Sequence, residues 1–248
     1  RIPPVERSKF YLDLAFSKAR IRGQQKKLSG NWLQIIRQKE CLKIDIIKDV
    51  LVTKLDGLTK AFPSIDHLPF FYVLLIKSTL DFVDFKKSLG SLSWARKKIL
   101  FFQKEYVRKI MGTKEKSQIK DVSKQFYGRV SSIMKQIDKH LVYLDYSRKV
   151  MRTFPDIKEL YTIAIYGFPN IGKSTLINKI TGTTAKVASY SFTTKTINCG
   201  FFTSKGQKIQ VLDVPGTLAR KEKMNLIEFQ AELVLKHLAD LVIYIFDM

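Results

Sequence analysis

The stretch that decides the fold runs from Tyr161 to Thr175, YTIAIYGFPNIGKST. Thr162 to Tyr166 is β-branched and aromatic without a charge, and it reads as a fully buried strand. Gly167, Gly172, Lys173 and Ser174 then satisfy the spacing G-x-x-x-x-G-K-[ST], and LINKI (176–180) continues as a helix. Strand, glycine loop and helix in that order make a phosphate cradle. The glycines let backbone N–H groups turn inward, and the helix N-terminus adds a positive dipole. Lys173 would reach the β- and γ-phosphates, and the Ser174 hydroxyl would take one position on Mg²⁺. The candidate cradle is Gly167, Phe168, Pro169, Asn170, Ile171, Gly172, Lys173, Ser174 and Thr175.

Downstream of this loop the pattern is α/β. Residues 197–203 and 207–212 read as two strands joined by a turn at Ser204-Lys205-Gly206. A helix is expected over 225–238 and another buried strand over 241–246. Apart from the first strand of the hairpin, all fit one parallel nucleotide-binding sheet. Asp213-Val214-Pro215-Gly216 leaves the carboxyl end of its strand, where Asp213 would hold Mg²⁺ through water and Gly216 would offer its N–H to a γ-phosphate. Between the two motifs, Tyr190-Ser191-Phe192-Thr193-Thr194 supplies hydroxyls. One threonine there would complete the metal shell only when the γ-phosphate is present, which makes a switch.

Upstream, residues 1–155 read as helical throughout. Helices are expected from about Phe10 to the break at Gly30-Asn31, and from Trp32 to Gly57 as one or two segments. Further helices are expected from Pro69 to Phe82, and after Gly90, with Ser91 or Ser93 as N-cap, to about Met111. Ile119, Val122, Phe126, Val130, Ile133, Ile137, Leu141 and Leu144 are spaced by threes and fours, which predicts one long, nearly straight helix over 117–153. Pro155 ends it. The domain boundary falls there, with a basic helical domain over 1–157 and a P-loop domain over 158–248.

Charge divides the chain the same way. The net charge is +22, but residues 159–248 hold 10 Lys/Arg against 7 Asp/Glu, leaving a net +19 in 1–158. Such asymmetry points to a polyanionic partner, nucleic acid first, for the N-terminal part. Lys120, Lys124, Lys135, Lys139, Arg148, Lys149 and Arg152 are expected on solvated faces, where with Arg96, Lys97, Lys98, Arg108 and Lys109 they form a phosphate-binding flank. The longest apolar run, Leu68 to Ile76, contains Pro69 and is too short to span a bilayer. No charged-then-apolar signal segment opens the chain, so nothing argues for export. Cys41 and Cys199 read as buried thiols, and His67, His140 and His237 lack metal-ligand spacing.

GFPNIGKST (167–175), SYSFTTK (189–195) and LDVPGTL (212–218), in this order, resemble the Obg-like branch of translation-factor GTPases. FPSIDHLPFFY (62–72), SLSWARKKI (91–99), EYVRKIMG (105–112) and the run from Lys124 to Ile157 resemble the helical domain of the nucleolar GTP-binding protein 1 family, archaeal members included. The resemblance covers about 10–248. It implies an all-helical bundle followed by a P-loop GTPase domain with a mostly parallel sheet (α + α/β). It also implies a GTP-hydrolysing switch in large ribosomal subunit assembly, using GTP/GDP and Mg²⁺. The partners it implies are large-subunit rRNA and the precursor ribosomal particle, without a membrane. The place of action would be cytoplasmic in an archaeon and nucleolar in a eukaryote.

By that resemblance Ser174 and Thr194 ligate Mg²⁺, Lys173 and the loop amides hold the phosphates, and Asn170 matches a position that holds K⁺ in place of an arginine finger. Thr217 and Leu218 follow DVPG where Ras-like proteins carry a water-orienting glutamine, so intrinsic hydrolysis is expected to be slow. The 248 residues contain no N-K-x-D guanine-reading motif. Either the record is the first portion of a longer protein, or a second polypeptide completes the domain, whose edge at 241–246 would be apolar and unpaired. The competing readings are an RNA-binding assembly module with an incomplete nucleotide site and, more weakly, an ATP-using P-loop enzyme.

Overall fold

A computed structural model describes residues 2–25, 29–168, 171–181, 198–214 and 226–246. In chain order the elements are α1 (Ser8–Gln25), α2 (Trp32–Ala61), a 3-10 turn (Ile65–His67), α3 (Phe70–Thr79), α4 (Phe82–Gly112), α5 (Lys116–Gln136) and α6 (Asp138–Met151), followed by β1 (Tyr161–Gly167), α7 (Lys173–Thr181), β2 (Asn198–Ser204), β3 (Gln207–Asp213), α8 (Leu226–His237) and β4 (Leu241–Ile245). The fold is a helical region followed by an α/β region with a four-stranded, mostly parallel sheet. Two compact units form: residues 2–62 with 82–147, and residues 63–81 with 148–248.

The helical unit is built on periodicity. Ile44, Ile47, Leu51, Leu55 and Leu58 of α2, Phe85, Leu92, Ala95 and Ile99 of α4, and Ile119, Phe126, Val130 and Ile133 of α5 are all buried. Their three- and four-residue steps keep each set on one helix face, and burying such faces supplies most of a helix's stability. Entry into α2 is set locally. Asn31 Oδ1 accepts the Leu33 N–H (2.8 Å), Gln34 Oε1 accepts the Asn31 N–H (3.1 Å), and Gly30 precedes them at φ +128°. That reciprocal pair satisfies two donors a helix start leaves open.

Several expectations for the helices need correction. The helix expected to start after Gly90 starts at Phe82 instead. Burial of Phe85, Ser88 and Leu92 holds it through an exposed glycine, and Ser91 Oγ donates to the Ser88 carbonyl (2.7 Å) rather than capping. Consequently α3 stops at Thr79, short of the expected Phe82, while α2 runs past Gly57 to Ala61. The single helix expected over 117–153 is interrupted at Ile137, where ψ is −1°. Asp138 there turns to other partners: its Oδ1 accepts the Ser8 N–H (2.8 Å) and its Oδ2 pairs with Arg7 (3.3 Å). Arg148, expected on a solvated face, is buried.

In the α/β unit the sheet order is β2-β3-β1-β4, with β1 parallel to both neighbours and β2 antiparallel to β3. Ile165, Ile177 and Val211 form its core, with Ile163, Leu176, Phe202 and Ile245 packed around them. β1 is less enclosed than its composition predicts: Ile163 and Tyr166 are half-buried and Tyr161 is exposed. β4 corrects the expectation of a buried strand, since Leu241, Val242, Ile243 and Tyr244 are 37–48% exposed. Among the described residues it lies at the end of the sheet order, next to β1. Ahead of the sheet, buried Tyr72 of α3 fastens the incoming chain. Its hydroxyl accepts the Ile157 N–H (2.9 Å) and donates to the Pro155 carbonyl (2.9 Å). Cys41 and Cys199 are free thiols, and burial pushes that of Cys41 up to about 11 and that of Cys199 up to about 12.

Candidate nucleotide site

The site lies at the carboxyl edge of the parallel strands, where α/β sheets place their ligands. Register brings its two halves together: Ile165 of β1 lies beside Asp213 of β3, and the Val214 N–H donates to the Ile165 carbonyl (3.0 Å). The chain therefore leaves β3 pinned against the strand that feeds the glycine loop. Gly167 closes β1 opposite Ile245 of β4. A Cβ at Gly167 would sit 2.3 Å from the Ile245 carbonyl oxygen, with φ at +158°, so glycine is required by sterics. Gly172, at φ +90°, turns the chain into α7. Its carbonyl accepts the Leu176 N–H (3.0 Å), leaving the first amides of α7 without intrahelical partners.

Lys173, the first residue of α7, is buried. Its Nζ donates to the Gly167 carbonyl (2.9 Å) and the Phe168 carbonyl (2.6 Å). A buried ammonium is tolerated only when bonded in this way. An ammonium has three N–H donors, and one has no protein partner among the described residues. The next residue, Ser174, donates its hydroxyl to Asp213 Oδ2. A hydroxyl and a carboxylate in contact are hard oxygen donors of the kind Mg²⁺ takes alongside water and phosphate oxygens. Among the described residues no group of three His, Cys, Asp or Glu side chains could hold a metal alone. A divalent ion at this place would thus depend on Ser174, Asp213 and the nucleotide itself.

Of the residues singled out from the sequence, Gly167, Phe168, Gly172, Lys173, Ser174 and Asp213 come together here, with Ile171 half-buried and Thr175 exposed in the same loop and helix start. Pro169, Asn170, Thr194, Gly216 and the Thr217-Leu218 pair lie outside the described residues.

Four supporting residues escaped the sequence reading. Gln210, fully buried in β3, accepts the Lys158 N–H at Oε1 (3.0 Å) and donates from Nε2 to Thr162 Oγ1 (3.1 Å) and the Lys158 carbonyl (3.3 Å). The other end of β1 is seated by Asp240, whose Oδ2 accepts the Thr162 N–H (2.7 Å) and whose own N–H donates to the Thr162 carbonyl (2.9 Å). Gly200 lets α7 press on β2, since a Cβ there would meet Thr181 Oγ1 at 2.5 Å. Tyr72 is the fourth. A lone glutamine inside IQVLD (209–213) was the one signal available, because a polar side chain in a buried strand must be bonded.

Comparisons with known proteins match two stretches of the chain. Residues 1–158 match the family model described as the NOG1 N-terminal helical domain, and residues 162–248 match that of a 50S ribosome-binding GTPase. An uncharacterized protein of Methanocaldococcus jannaschii is 37% identical over 217 residues, covering 87% of this chain and 61% of that one. The nucleolar GTP-binding protein 1 of Drosophila melanogaster is 33% identical over 249 residues, covering all of this chain and 38% of its own length. Among solved structures, the G domain of the T. maritima FeoB iron transporter is 39% identical, covering 34% of this chain and 53% of that one, with a TM-score of 0.28. The chain thus spans less than two thirds of the length of either relative. No helix among the described residues is long and apolar enough to cross a membrane.

Proposed function

The chain belongs to the nucleolar GTP-binding protein 1 family, and on that premise we propose that it is a GTP-binding, GTP-hydrolysing switch that acts in large ribosomal subunit assembly. The functional division falls at 157/158, with the basic helical domain contacting large-subunit rRNA and the precursor particle. In a eukaryotic cell the site of action would be nucleolar.

One observation carries the nucleotide reading: Ser174 in contact with Asp213, beside the Lys173 ammonium held by the loop carbonyls. Three groups from two separate motifs lie together, which supports their serving one ligand. The third N–H of Lys173 would take the β- and γ-phosphate oxygens, while the amides at the start of α7 and of the loop 167–175 surround them. Ser174 and Asp213 would hold Mg²⁺, and Thr194 would join them only with a γ-phosphate in place. Bound there, Mg²⁺ would offset the negative charge of the phosphates. Asn170 is proposed as a K⁺ ligand and Gly216 as a γ-phosphate donor. With Thr217 and Leu218 following DVPG, no glutamine amide orients the attacking water, so the isolated protein hydrolyses slowly and the particle or K⁺ supplies the missing element.

The test is calorimetric titration of GTP, GDP and ATP with Mg²⁺ and K⁺, on the chain and on Lys173→Ala. Guanine-selective binding that falls at least a hundredfold in the variant is expected. Hydrolysis by the isolated chain at the rate of an activated Ras-type enzyme would sink the slow-switch reading. Absence of binding to any nucleotide would leave an RNA-binding module.

A further inference from the structure

Within the helical unit, α1, α2 and α5 enclose a cleft of about 280 Å³. Its walls carry Phe16, Arg20 and Gln24 from α1, Lys39 and Lys43 from α2, and Tyr127 from α5. Four-residue steps put each helix's contribution on one face. α1 and α2 come close at one end, where a Cβ on Gly23 would lie 3.3 Å from Lys43 Cγ. The aromatic side is held firmly. Tyr127 meets Phe16 edge-on with centroids 5.6 Å apart, and its hydroxyl donates to Glu40 Oε2 (3.2 Å). Burial, aided by the Glu40 charge, pushes the Tyr127 hydroxyl pKa up, so it stays a neutral donor.

Glu40 is the one acidic group at this place, and it is spent inward. Its second oxygen accepts Lys43 Nζ at 2.7 Å. Arg20 and Lys39 make no ion pair among the described residues. The cleft therefore offers two rings and two uncommitted cations. Rings stack on nucleobases, and cations beside them take the flanking phosphates. Its volume lies just under the usual range for drug-sized ligands, about 300–1,000 Å³, which suits one planar base and not a helix or strand. Binding to a duplex backbone needs only surface cations, so a cleft with aromatic walls is unaccounted for by charge alone.

We propose that this cleft receives a single unpaired nucleotide of RNA, its base against Phe16 and Tyr127 and its phosphates on Arg20 and Lys39. The inference rests on the RNA-binding reading above and deepens it: the helical domain recognises an extruded nucleotide, not duplex shape alone.

The test is fluorescence anisotropy of the full chain with labelled RNA hairpins of one stem. One hairpin is fully paired, and four others each carry one of the four bases as a single bulge. At least one bulged hairpin binds about tenfold tighter than the paired one. Arg20→Ala/Lys39→Ala erases that preference while paired-hairpin affinity changes much less. Tyr127→Leu erases it too and Tyr127→Phe keeps it; should Tyr127→Leu fail to fold, the exposed-face double variant carries the test. Lys98→Ala, exposed on α4 away from the cleft, weakens all hairpins alike. Equal binding of paired and bulged hairpins, or a preference surviving in the double variant, overturns this inference and leaves RNA binding intact. Loss of binding to every hairpin overturns both.

Discussion

The helical unit and the α/β unit reach order by different routes. Helices of 18 to 31 residues, such as α1, α2 and α4, bury long apolar faces, so each position is one of many equivalent ones. Strands of five to seven residues have no such redundancy, and single atoms decide where they lie. The chemistry follows the same division. The proposed affinity of the helical unit for polyanions would rest on charge spread over many lysines and arginines. The candidate nucleotide site would depend on Lys173, Ser174 and Asp213 being placed to within an ångström or so.

The sharpest way to break this comparison is Gly167→Ala. The added Cβ would meet the Ile245 carbonyl, which cannot yield without opening the β1–β4 pairing. A loss of about 3 kcal/mol or more is expected, in the range reserved for backbone strain and overpacking. Hydrogen exchange should rise in peptides from 161–168 and 241–246 while α2 and α4 keep their protection. An α/β unit as protected as the wild type would show that β1 tolerates what its geometry forbids.

Gln210→Leu is a smaller step. It fills the same space but leaves the Lys158 N–H without its partner, while the Lys158 carbonyl keeps the Leu160 N–H and the Thr162 hydroxyl keeps the Leu160 carbonyl. A cost of about 1–3 kcal/mol is expected for a group left buried and unsatisfied, read in chemical denaturation, with faster exchange at the Lys158 amide. Unchanged exchange there would mean Gln210 is a space-filler.

The smallest effect belongs to the helical unit. The Ser8 N–H, aided by Arg7, holds the Asp138 carboxyl below its ordinary value of 3.8. A depressed folded-state pKa stabilises above the unfolded value and is lost as pH falls through the folded one. Asp138→Asn should therefore lower the melting temperature slightly at pH 7, and the gap should close below pH 3.8. A gap constant down to pH 2 would assign the effect to packing.

Much was legible in the residues alone. The glycine spacing, the lysine and serine after it, and the aspartate ending a β-branched strand carry local chemistry that needs no partner to be recognised. What was misread depended on packing. Gly90 looked like a helix boundary, but burial of Phe85 and Leu92 outweighs the roughly 1 kcal/mol a glycine costs inside a helix. Ile137 lies on a continuous apolar face, and only the pull of Ser8 and Arg7 on Asp138 reveals the interruption. Gln210, Asp240 and Gly200 carry their meaning in distances to residues far along the chain. So does the cleft joining Phe16, Arg20, Lys39 and Tyr127, assembled from three helices.

By itself, then, the sequence determined the two-part architecture, the charge division and the identity of the phosphate loop, because periodicity, composition and motif spacing are local properties of a chain. Tertiary structure decided which ends of the strands meet, that Ser174 touches Asp213 and that a basic, aromatic cleft exists. Those depend on strand register and helix packing, which bring together residues whose separation along the chain carries no record of their contact.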